Sequence, residues 1–310
     1  MDTDALAADF KKRYGADGGK PEVFSVGMPV HLVGIPQAEG SRLLSCTVSM
    51  TAAAAIRKID DLVVELERTG SNLRLASPVS ELDKMDDEIF GLFSYIGKRR
   101  YKIPGMQLML DTEMPEGILR REAETAAAAG AMFRIKGRKL SANDLAMLCA
   151  DYRGEKESRP DFGVMFRQGA GSVYEGRSAE VAVFETGGSL DGLVLILADT
   201  GRFSMGRKRV NATVEENRRA ERCLYALCTE GGEGFAKEFT DVSCAKEAGT
   251  RLLESLAENE IILGVRYLEY MQLTAVIAAE ERTDAAVSLI TDRCERFMGR
   301  QPLIYITRSI

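Results

Sequence analysis

Two stretches in the second half of the sequence decide the fold. The first, LADTG at residues 197–201, ends the apolar run LDGLVLILADTG, which predicts a strand. The second, EENRRAERC at residues 215–223, lies within ATVEENRRAERCLYALCTE, a charged segment that predicts a helix. We use this predicted strand and the charged helix after it as the reference for placing the other predicted elements along the chain.

The composition is that of a soluble globular protein. The chain has 310 residues, 45% apolar and 28% charged, which allows two ordinary domains or one large α+β domain. No apolar run approaches the roughly 18 to 20 residues of a membrane span. The start, MDTDALAADFKKRYG, lacks the apolar core of a signal peptide. We therefore expect a cytoplasmic protein.

Cysteine usage and charge exclude several classes. The six cysteines show no paired CxxC spacing, which favours reduced, mostly buried thiols over disulfides or zinc. The net charge of -6 argues against general nucleic-acid binding. The basic runs KRRYK (98–102) and GRKR (206–209) are interpreted as solvated faces or loops.

Periodicity and turn residues place the other elements. The spacing predicts helices over 5–14 (ended by Gly15), 80–97, 118–135, 141–154 (with Ser141 and Asp144 spaced as a capping box), 212–230, 244–260 and 284–299. Strands are predicted over 22–34, 41–58, 61–70, 105–117, 179–186, 190–201, 273–280 and 302–308. Because helices and strands mix without regular βαβ alternation, we expect the α+β class. The segment GGSLDG (187–192) predicts a boundary between domains at 1–190 and 191–310.

The order of these pieces resembles the GHMP family of small-molecule kinases, and within it the galactokinases. The resemblance rests on FKKRYG and VFSVGMPVHLVG near the start, LMLDTEMPEG before an alanine-rich helix, FGVMFRQ, LADTG with EENRRAERC, and the later DVSCAKE, ILGVRY and GRQPLIYITRSI. It runs nearly end to end. It implies a two-domain α+β fold, with an N-terminal domain like ribosomal protein S5 domain 2 and a ferredoxin-like C-terminal domain.

The resemblance also implies phosphoryl transfer from ATP-magnesium to the C1 hydroxyl of a sugar. Such a reaction needs positioning, electrostatic stabilisation of the phosphoryl oxygens, and a carboxylate near the attacking hydroxyl. In the family, the loop after the opening strand carries Arg, Glu, His and Asp. The matching positions here are Pro29, Ile35, Pro36 and Ala38, whose side chains cannot form hydrogen bonds. Sugar binding of the galactokinase type is therefore not expected.

The remaining three sites are altered as well. The phosphate loop is shorter, and Glu116, Gly117, Leu119, Arg120 and Arg121 occupy it. Glu116 would repel a phosphate, whereas the two arginines could bind an anion or could lie exposed on the first helical turn. The segment GVMFRQ places Phe166, or Arg167 if the register slips by one, where the family has its catalytic Asp.

The glycine-rich loop of the C-terminal domain matches YLEYMQ, Tyr267 to Gln272, whose side chains block close backbone approach. Asp111, Asp199 and Glu216 remain as acids without an assigned metal. We therefore predict no catalytic residue, no metal site and no cofactor, with ATP and Mg²⁺ only if kinase activity persists.

Three functions stay open. The first is a pseudokinase that binds or regulates without phosphoryl transfer. The second is a diverged kinase of carbohydrate or small-molecule metabolism that binds an anionic metabolite, since a fold does not fix a function. The third is a protein that binds another chain through its cleft or an apolar face. The candidate ligand-contacting residues are His31, Gly34, Gln37, Phe166 and Arg167. We expect a small molecule or a protein as partner, neither nucleic acid nor membrane.

Overall fold

The computed structural model describes residues 2–15, 19–35, 40–71, 74–114, 119–154, 159–167, 172–177, 180–185, 190–201, 209–243 and 247–307. The chain divides into two compact units. Unit 1 comprises residues 1–28 and 49–168, and unit 2 comprises residues 29–48 and 169–310. Two long strands, β1 (Glu22–Val33) and β2 (Arg42–Ile59), contribute residues to both units.

Unit 1 contains a small sheet and five helices among its described residues. Its other strands are β3 (Val63–Arg68), β4 (Arg74–Pro78) and β5 (Gly105–Thr112). Its helices are α1 (Thr3–Tyr14), α2 (Glu88–Lys98), α3 (Arg120–Ile135), α4 (Ala142–Arg153) and α5 (Arg159–Met165), with a 3-10 helix at Val79–Lys84. The strand order is β4-β3-β5-β2, antiparallel except for the parallel pair β3 and β5.

Helix α1 is capped at its N-terminus, and it is fixed to the sheet of unit 1 along one face and at its C-terminus. Its Asp2 N-cap accepts hydrogen bonds from the amides of Asp4 and Ala5, and Gly15 ends the helix. Leu6 and Phe10 pack against the β2 and β5 side chains Ala53, Ala55 and Met109. The buried guanidinium of Arg57 donates to the carbonyls of Tyr14 and Gly15, both at 2.9 Å, which satisfies acceptors at the helix C-terminus.

Helix α3 is buried along almost its whole length. Every residue from Ala123 to Phe133 is buried, and the alanine run allows close packing against β5. Gly130 is required for this packing, because a Cβ there would lie 2.2 Å from the ring of Phe24. Exposed or partly exposed residues occur only at the two ends of α3, in its first turn and at Arg134 and Ile135.

Unit 2 contains strands β6 (Ser172–Arg177), β7 (Glu180–Glu185), β8 (Leu193–Asp199), β9 (Ile262–Leu268), β10 (Leu273–Ala279) and β11 (Leu303–Thr307). Its described helices are α6 (Arg209–Thr229), α7 (Gly231–Phe239), α8 (Glu247–Ala257) and α9 (Thr283–Met298). The antiparallel hairpin of β6 and β7 pairs with Arg42–Ser45 of β2.

The second sheet of unit 2 has the order β11-β8-β10-β9, with all pairs antiparallel. Numbered along the chain, this is the 4-1-3-2 order of a ferredoxin-like sheet. One face is covered by α8 and α9, and the core between them includes Leu252, Leu256, Val265, Val276 and Ile290. The expected α+β class and the two-domain fold are thus confirmed.

Most predicted elements are confirmed, with the capping box of Ser141 and Asp144 on α4 and the Gly299 stop of α9. The single helix predicted over 80–97 is wrong at its start, because Asp87 caps α2 and a separate 3-10 helix precedes it. Strands β4, β6 and β9 and helices α5 and α7 were not predicted. The boundary at residues 190 and 191 stays a prediction.

The cysteine expectation holds for the residues described. Cys46, Cys149, Cys223 and Cys294 are buried free thiols, and Cys228 is an exposed one. Burial raises the pKa of the Cys46 thiol to about 12. Such a thiol stays protonated and unreactive at neutral pH.

Candidate functional site

The first turn of α3 corresponds to the predicted phosphate loop. Leu119 precedes the helix in a left-handed conformation (φ 51°), and its side chain provides no cap. Glu116 and Gly117 lie outside the described residues. The structure therefore defines the end of the loop through Leu119, Arg120 and Arg121 alone.

Carboxylates of unit 1 pair with the arginines at this turn. The Arg120 Nε lies 3.1 Å from one oxygen of Glu124, one helical turn later. The second Glu124 oxygen accepts from Arg68 Nε at 3.1 Å, and Arg68 Nη1 lies 2.9 Å from Asp87. Because Glu124 is 8% exposed, its carboxylate is largely withdrawn from water and held between two guanidinium groups.

A second set of pairs lies beside the first. Arg153 of α4 pairs with Glu88 and with Glu122, the latter at 3.2 Å. Arg121 is more loosely held, with its Nε 3.9 Å from Glu88 and its side chain 77% exposed. Arg121 is therefore the cation of this turn that remains most accessible to a ligand.

These side chains line a cavity of about 1010 Å³. Its described lining is Arg68, Met85, Asp86, Asp87, Glu88, Leu119, Arg120, Arg121, Glu122, Glu124 and Tyr152. Five carboxylates face three arginines, so the wall carries no excess of positive charge. Tyr152 donates from its hydroxyl to the Glu88 carbonyl at 2.6 Å, and burial together with the nearby Asp87 raises its pKa.

His31, on the opening strand, is buried and hydrogen-bonded within unit 2. Its side chain is enclosed (1% exposed), and Nδ1 lies 2.5 Å from Ser45 Oγ. The His31 backbone amide donates to the Tyr270 hydroxyl at 2.7 Å, and the two rings lie 5.0 Å apart. These contacts are those of a packed residue, and a role for His31 in binding stays a prediction.

Position 34 requires glycine for two structural reasons. Its φ is 104°, and a Cβ there would lie 2.3 Å from the Arg42 carbonyl oxygen. Its amide donates to Glu216 Oε2 at 3.1 Å. Gln37, Pro36 and Ala38 of the same loop lie outside the described residues.

The stretch EENRRAERC, whose pattern predicted the fold, forms a buried ion network in unit 2. Glu216 is 3% exposed and accepts from Arg266 Nη2 at 2.5 Å. Arg219 lies 2.7 Å from Asp241, whose carboxylate also accepts from the amide of Ser243 at 3.0 Å. The segments DVS and GVR therefore supply the partners of α6, and the network joins α6 to β9 and to the turn after α7.

Two further residues of EENRRAERC, Asn217 and Glu221, contact the chain at the start of β2. The Asn217 side chain accepts from the Arg42 amide at 2.7 Å and donates to the Gly40 carbonyl at 2.9 Å. Glu221 accepts from Arg42 Nη1 at 2.9 Å. Burial opposes ionisation of Asp241, but its hydrogen bonds to Ser243 and the charges of Arg219 and Arg266 outweigh it, so its pKa lies below the usual value.

Phe166 and Arg167, in the position expected of a catalytic Asp, make local contacts in unit 1. The Phe166 ring lies 6.2 Å from that of Phe24. Arg167 donates to the Gly163 carbonyl at 3.1 Å, which satisfies an acceptor at the end of α5, and to the Asn143 side chain of α4. Neither is a carboxylate, and a binding role for either stays a prediction.

The segment Tyr267–Gln272 forms the end of β9 and the turn to β10. Tyr267 is buried in the core under α8 and α9, and its hydroxyl lies 3.3 Å from Gln272 Oε1. Gln272 adopts a left-handed conformation with φ 57°. This segment is therefore a filled hairpin, without the open backbone of a glycine-rich loop.

The acids that the sequence left unassigned also have local partners. Asp111 accepts from Thr69 Oγ1 and from the Thr112 amide, and Asp199 lies 2.8 Å from Arg300. Within the described ranges, no group of three or more His, Cys, Asp or Glu side chains is placed to hold a metal ion. Within the same ranges, no helix is long and apolar enough to cross a membrane.

Comparison with solved structures identifies the fold as that of the GHMP kinases. Galactokinase from Lactococcus lactis, solved in complex with galactose, matches with a TM-score of 0.81 at 15% identity over 99% of this chain and 97% of that chain. Mevalonate kinase from Methanococcus jannaschii matches with a TM-score of 0.68 at 13% identity, over 94% of this chain and 99% of that chain.

D-glycero-D-manno-heptose 1-phosphate kinase from Bacteroides thetaiotaomicron matches with a TM-score of 0.67 at 12% identity. The match covers 93% of this chain and 96% of that chain. No protein-family profile and no curated protein sequence matches this chain. At these identities the likeness defines the fold alone, a kinase-like scaffold.

Sequence reasoning missed the carboxylates that face the arginines of α3. The sequence places Glu122 and Glu124 only within an alanine-rich helix, and no local pattern assigns a role to Arg68 or Arg153. The i, i+4 spacing of Arg120 and Glu124 was a visible signal for one pair. The partners of Arg68 and Arg153 lie on other elements, which no local pattern reveals.

Proposed function

We propose that this protein is a galactokinase-like pseudokinase, a non-catalytic binding or regulatory protein built on a GHMP kinase scaffold. One observation carries the proposal. Where the resemblance implies chemistry, the described side chains instead make structural contacts inside their own unit: Tyr270 with His31, Phe166 with Phe24, and Arg120 with Glu124.

The residues at the start of α3 do not fit a magnesium nucleotide. A phosphate site needs uncompensated positive charge or converging amides, because the anion must be stabilised as it loses water. Here Glu122 and Glu124 already pair with Arg153, Arg68 and Arg120. A polyphosphate would have to displace these carboxylates and would then be repelled by them. This mismatch supports a protein without a nucleotide cofactor.

A second candidate is a diverged sugar or small-molecule kinase, an ATP-dependent phosphotransferase with an alcohol acceptor, that binds an anionic metabolite. The cavity of about 1010 Å³ favours it, since that volume accommodates a small molecule. Arg121, with its exposed guanidinium, would be the group that contacts the anion.

For the partner we propose a small molecule or another protein, with neither nucleic acid nor membrane involved, and a cytoplasmic location. The net charge of -6 supports the first exclusion, because binding to a polyanion requires an excess of positive charge.

Calorimetric titration with ATP-Mg²⁺ and with galactose, together with a coupled assay for ADP release, tests the two candidates. We expect neither binding heat nor turnover. Turnover of any sugar or small alcohol above a protein-free blank would end the pseudokinase proposal.

A thermal-shift panel of phosphorylated and carboxylated metabolites addresses the second candidate. A compound that stabilises the wild type but not Arg121→Gln, while still stabilising the control Lys139→Gln, would support an anion site on α3. The absence of stabilisation across the panel would count against the diverged kinase.

A further inference from the structure

One exposed face of α6 has a pattern that its buried ion network does not explain. Val214, Arg218, Glu221 and Tyr225 are all exposed, with successive spacings of four, three and four residues. This spacing places them in one stripe along the helix, as at an interface between two packed helices. We call these four residues the α6 stripe.

The α6 stripe is unusual for a solvent-facing surface. Tyr225 is 68% exposed and Val214 is 51% exposed, so large apolar side chains lie at both ends. Between them lie opposite charges. Arg218 has no charged partner among the residues that the structure describes, whereas Glu221 is paired with Arg42 through one oxygen.

The four side chains of the α6 stripe follow one another in an order that lets the stripe pair with a second, antiparallel copy of itself. If two copies of α6 pack antiparallel about a twofold axis near residues 219 and 220, Val214 of one copy faces Tyr225 of the other. Arg218 then faces Glu221, and each contact occurs twice. A twofold interface requires such self-complementarity, because the same surface serves both partners.

The surroundings of the stripe suit a second helix. A groove of about 500 Å³ runs beside it between α6 and α7, lined in part by Arg218, Arg222, Tyr225 and Glu238. Arg222 is already paired with Glu238 at 2.7 Å, so it would not compete for the partner helix. A carboxylate can accept several hydrogen bonds, so Glu221 can bind Arg218 of the other copy while it remains paired with Arg42.

We propose that the α6 stripe is a docking surface for a second copy of this chain, which forms a twofold dimer through antiparallel α6 helices. The contact is small, so the dimer is weak and forms with a dissociation constant on the order of 10 to 100 µM. The proposal does not depend on the pseudokinase assignment.

Charge exchange tests the proposed pairing. Sedimentation velocity over a concentration series should show a reversible monomer–dimer equilibrium for the wild type. Arg218→Glu would place like charges opposite each other and raise the dissociation constant about tenfold or more. The triple variant R42Q/R218E/E221R exchanges the charges and removes Arg42, which would otherwise repel the new cation at position 221. Compared with Arg42→Gln alone, it should recover most of the association. Arg296→Glu, an exposed charge reversal on α9, is the control and should leave the equilibrium unchanged.

Covalent trapping tests the direction of packing. In a Cys228→Ser background, which removes the exposed native thiol among those described, Val214→Cys combined with Tyr225→Cys should give a disulfide-linked dimer under mild oxidation. Either cysteine alone should give much less, since like positions are separated by the antiparallel arrangement. A monomer at all concentrations, or a dimer that ignores Arg218→Glu and the independent variant Tyr225→Ala, would overturn the proposal.

Discussion

Two arginine–carboxylate clusters, one in each unit, differ mainly in their exposure to water. The buried network of unit 2 joins Glu216, Arg219, Asp241 and Arg266, with side chains between 3% and 13% exposed. The α3 cluster of unit 1 consists of Arg68, Asp87, Glu88, Arg120, Arg121, Glu122, Glu124 and Arg153. Most of these side chains line an open cavity, and their exposure ranges from 10% for Asp87 to 77% for Arg121.

The difference in exposure determines how well each cluster tolerates the loss of one charged partner. A buried charge that loses its partner has no water to replace it, so the four groups of the buried network depend on one another. In the α3 cluster, Arg68, Arg120 and Arg121 keep access to solvent, which partly compensates these arginines for a lost partner. The stretch EENRRAERC thus makes buried contacts within unit 2, whereas we expect the start of α3 to tolerate more changes.

The largest expected effect is in the buried network. Glu216→Gln keeps the side-chain shape but removes the carboxylate that the buried Arg266 binds directly, so we expect a loss of about 3 to 5 kcal/mol in the free energy of unfolding. Chemical denaturation measures it. Glu221→Gln on the same helix, with its side chain 57% exposed, is the control and should cost below about 1 kcal/mol. Equal losses in the two variants would remove the distinction drawn between buried and exposed pairs.

The second effect concerns Gly34, whose amide donates to the buried network. Gly34→Ala would push a Cβ against the Arg42 carbonyl at an unfavourable φ, and we expect a loss of about 3 kcal/mol. Gly40 provides a matched control, because its φ is also positive (74°) but nothing lies within 4 Å of a Cβ there. Gly40→Ala should cost about 1 kcal/mol. A thermal melt that ranks Gly40→Ala as the more harmful change would refute this explanation.

The third effect should appear in the α3 cluster as a gain of binding. Replacing both carboxylates, Glu122→Gln with Glu124→Gln, removes two of the five negative charges that face Arg68, Arg120 and Arg121 in the cavity. We expect pyrophosphate to bind with a millimolar dissociation constant and a stability loss of about 1 to 2 kcal/mol. Calorimetry against the wild type, which should give no heat, measures the gain. If the double variant also gives no heat, the carboxylates are not what excludes anions.

The smallest effect is a pH dependence in the buried network. Because the pKa of Asp241 in the folded state lies below its usual value of 3.8, the charged form stabilises the fold above that pH. This contribution is lost as the pH falls through the lowered folded-state value. Asp241→Asn should therefore be less stable at neutral pH but lose less stability on acidification from pH 6 to pH 3.

Urea denaturation across this range measures the difference between Asp241→Asn and the wild type. Asp284→Asn, an exposed carboxylate on α9, should follow the wild-type profile. Parallel profiles for wild type and Asp241→Asn would contradict the assigned role of Asp241.

The sequence predicted the fold better than the site, for identifiable reasons. Helices α1, α4 and α9 carry their caps within the local sequence, so Gly15, Ser141 and Gly299 were readable. Helix α7 was missed because its three glycines indicate a loop. Its helix is held by burial of Phe235 and Phe239.

Contacts between side chains that lie far apart in the sequence could not be predicted. Glu216 meets the amide of Gly34 and the guanidinium of Arg266, which lie far apart along the chain. The sequence indicated that EENRRAERC, DVS and ILGVRY belong to one fold, but not that they meet in one network. Similarly, replacement of expected catalytic groups was visible, whereas the contacts that the new side chains make depend on packing.

The burial of α3 divides that helix into two parts with different tolerance to substitution. From Ala123 to Phe133 every residue is buried, and a methyl group at Gly130 would clash with the ring of Phe24. We expect a saturation library to accept few changes there and many at Arg120 and Arg121. A change in the first turn can therefore alter which ligand this turn contacts, while the buried body of the helix keeps its packing.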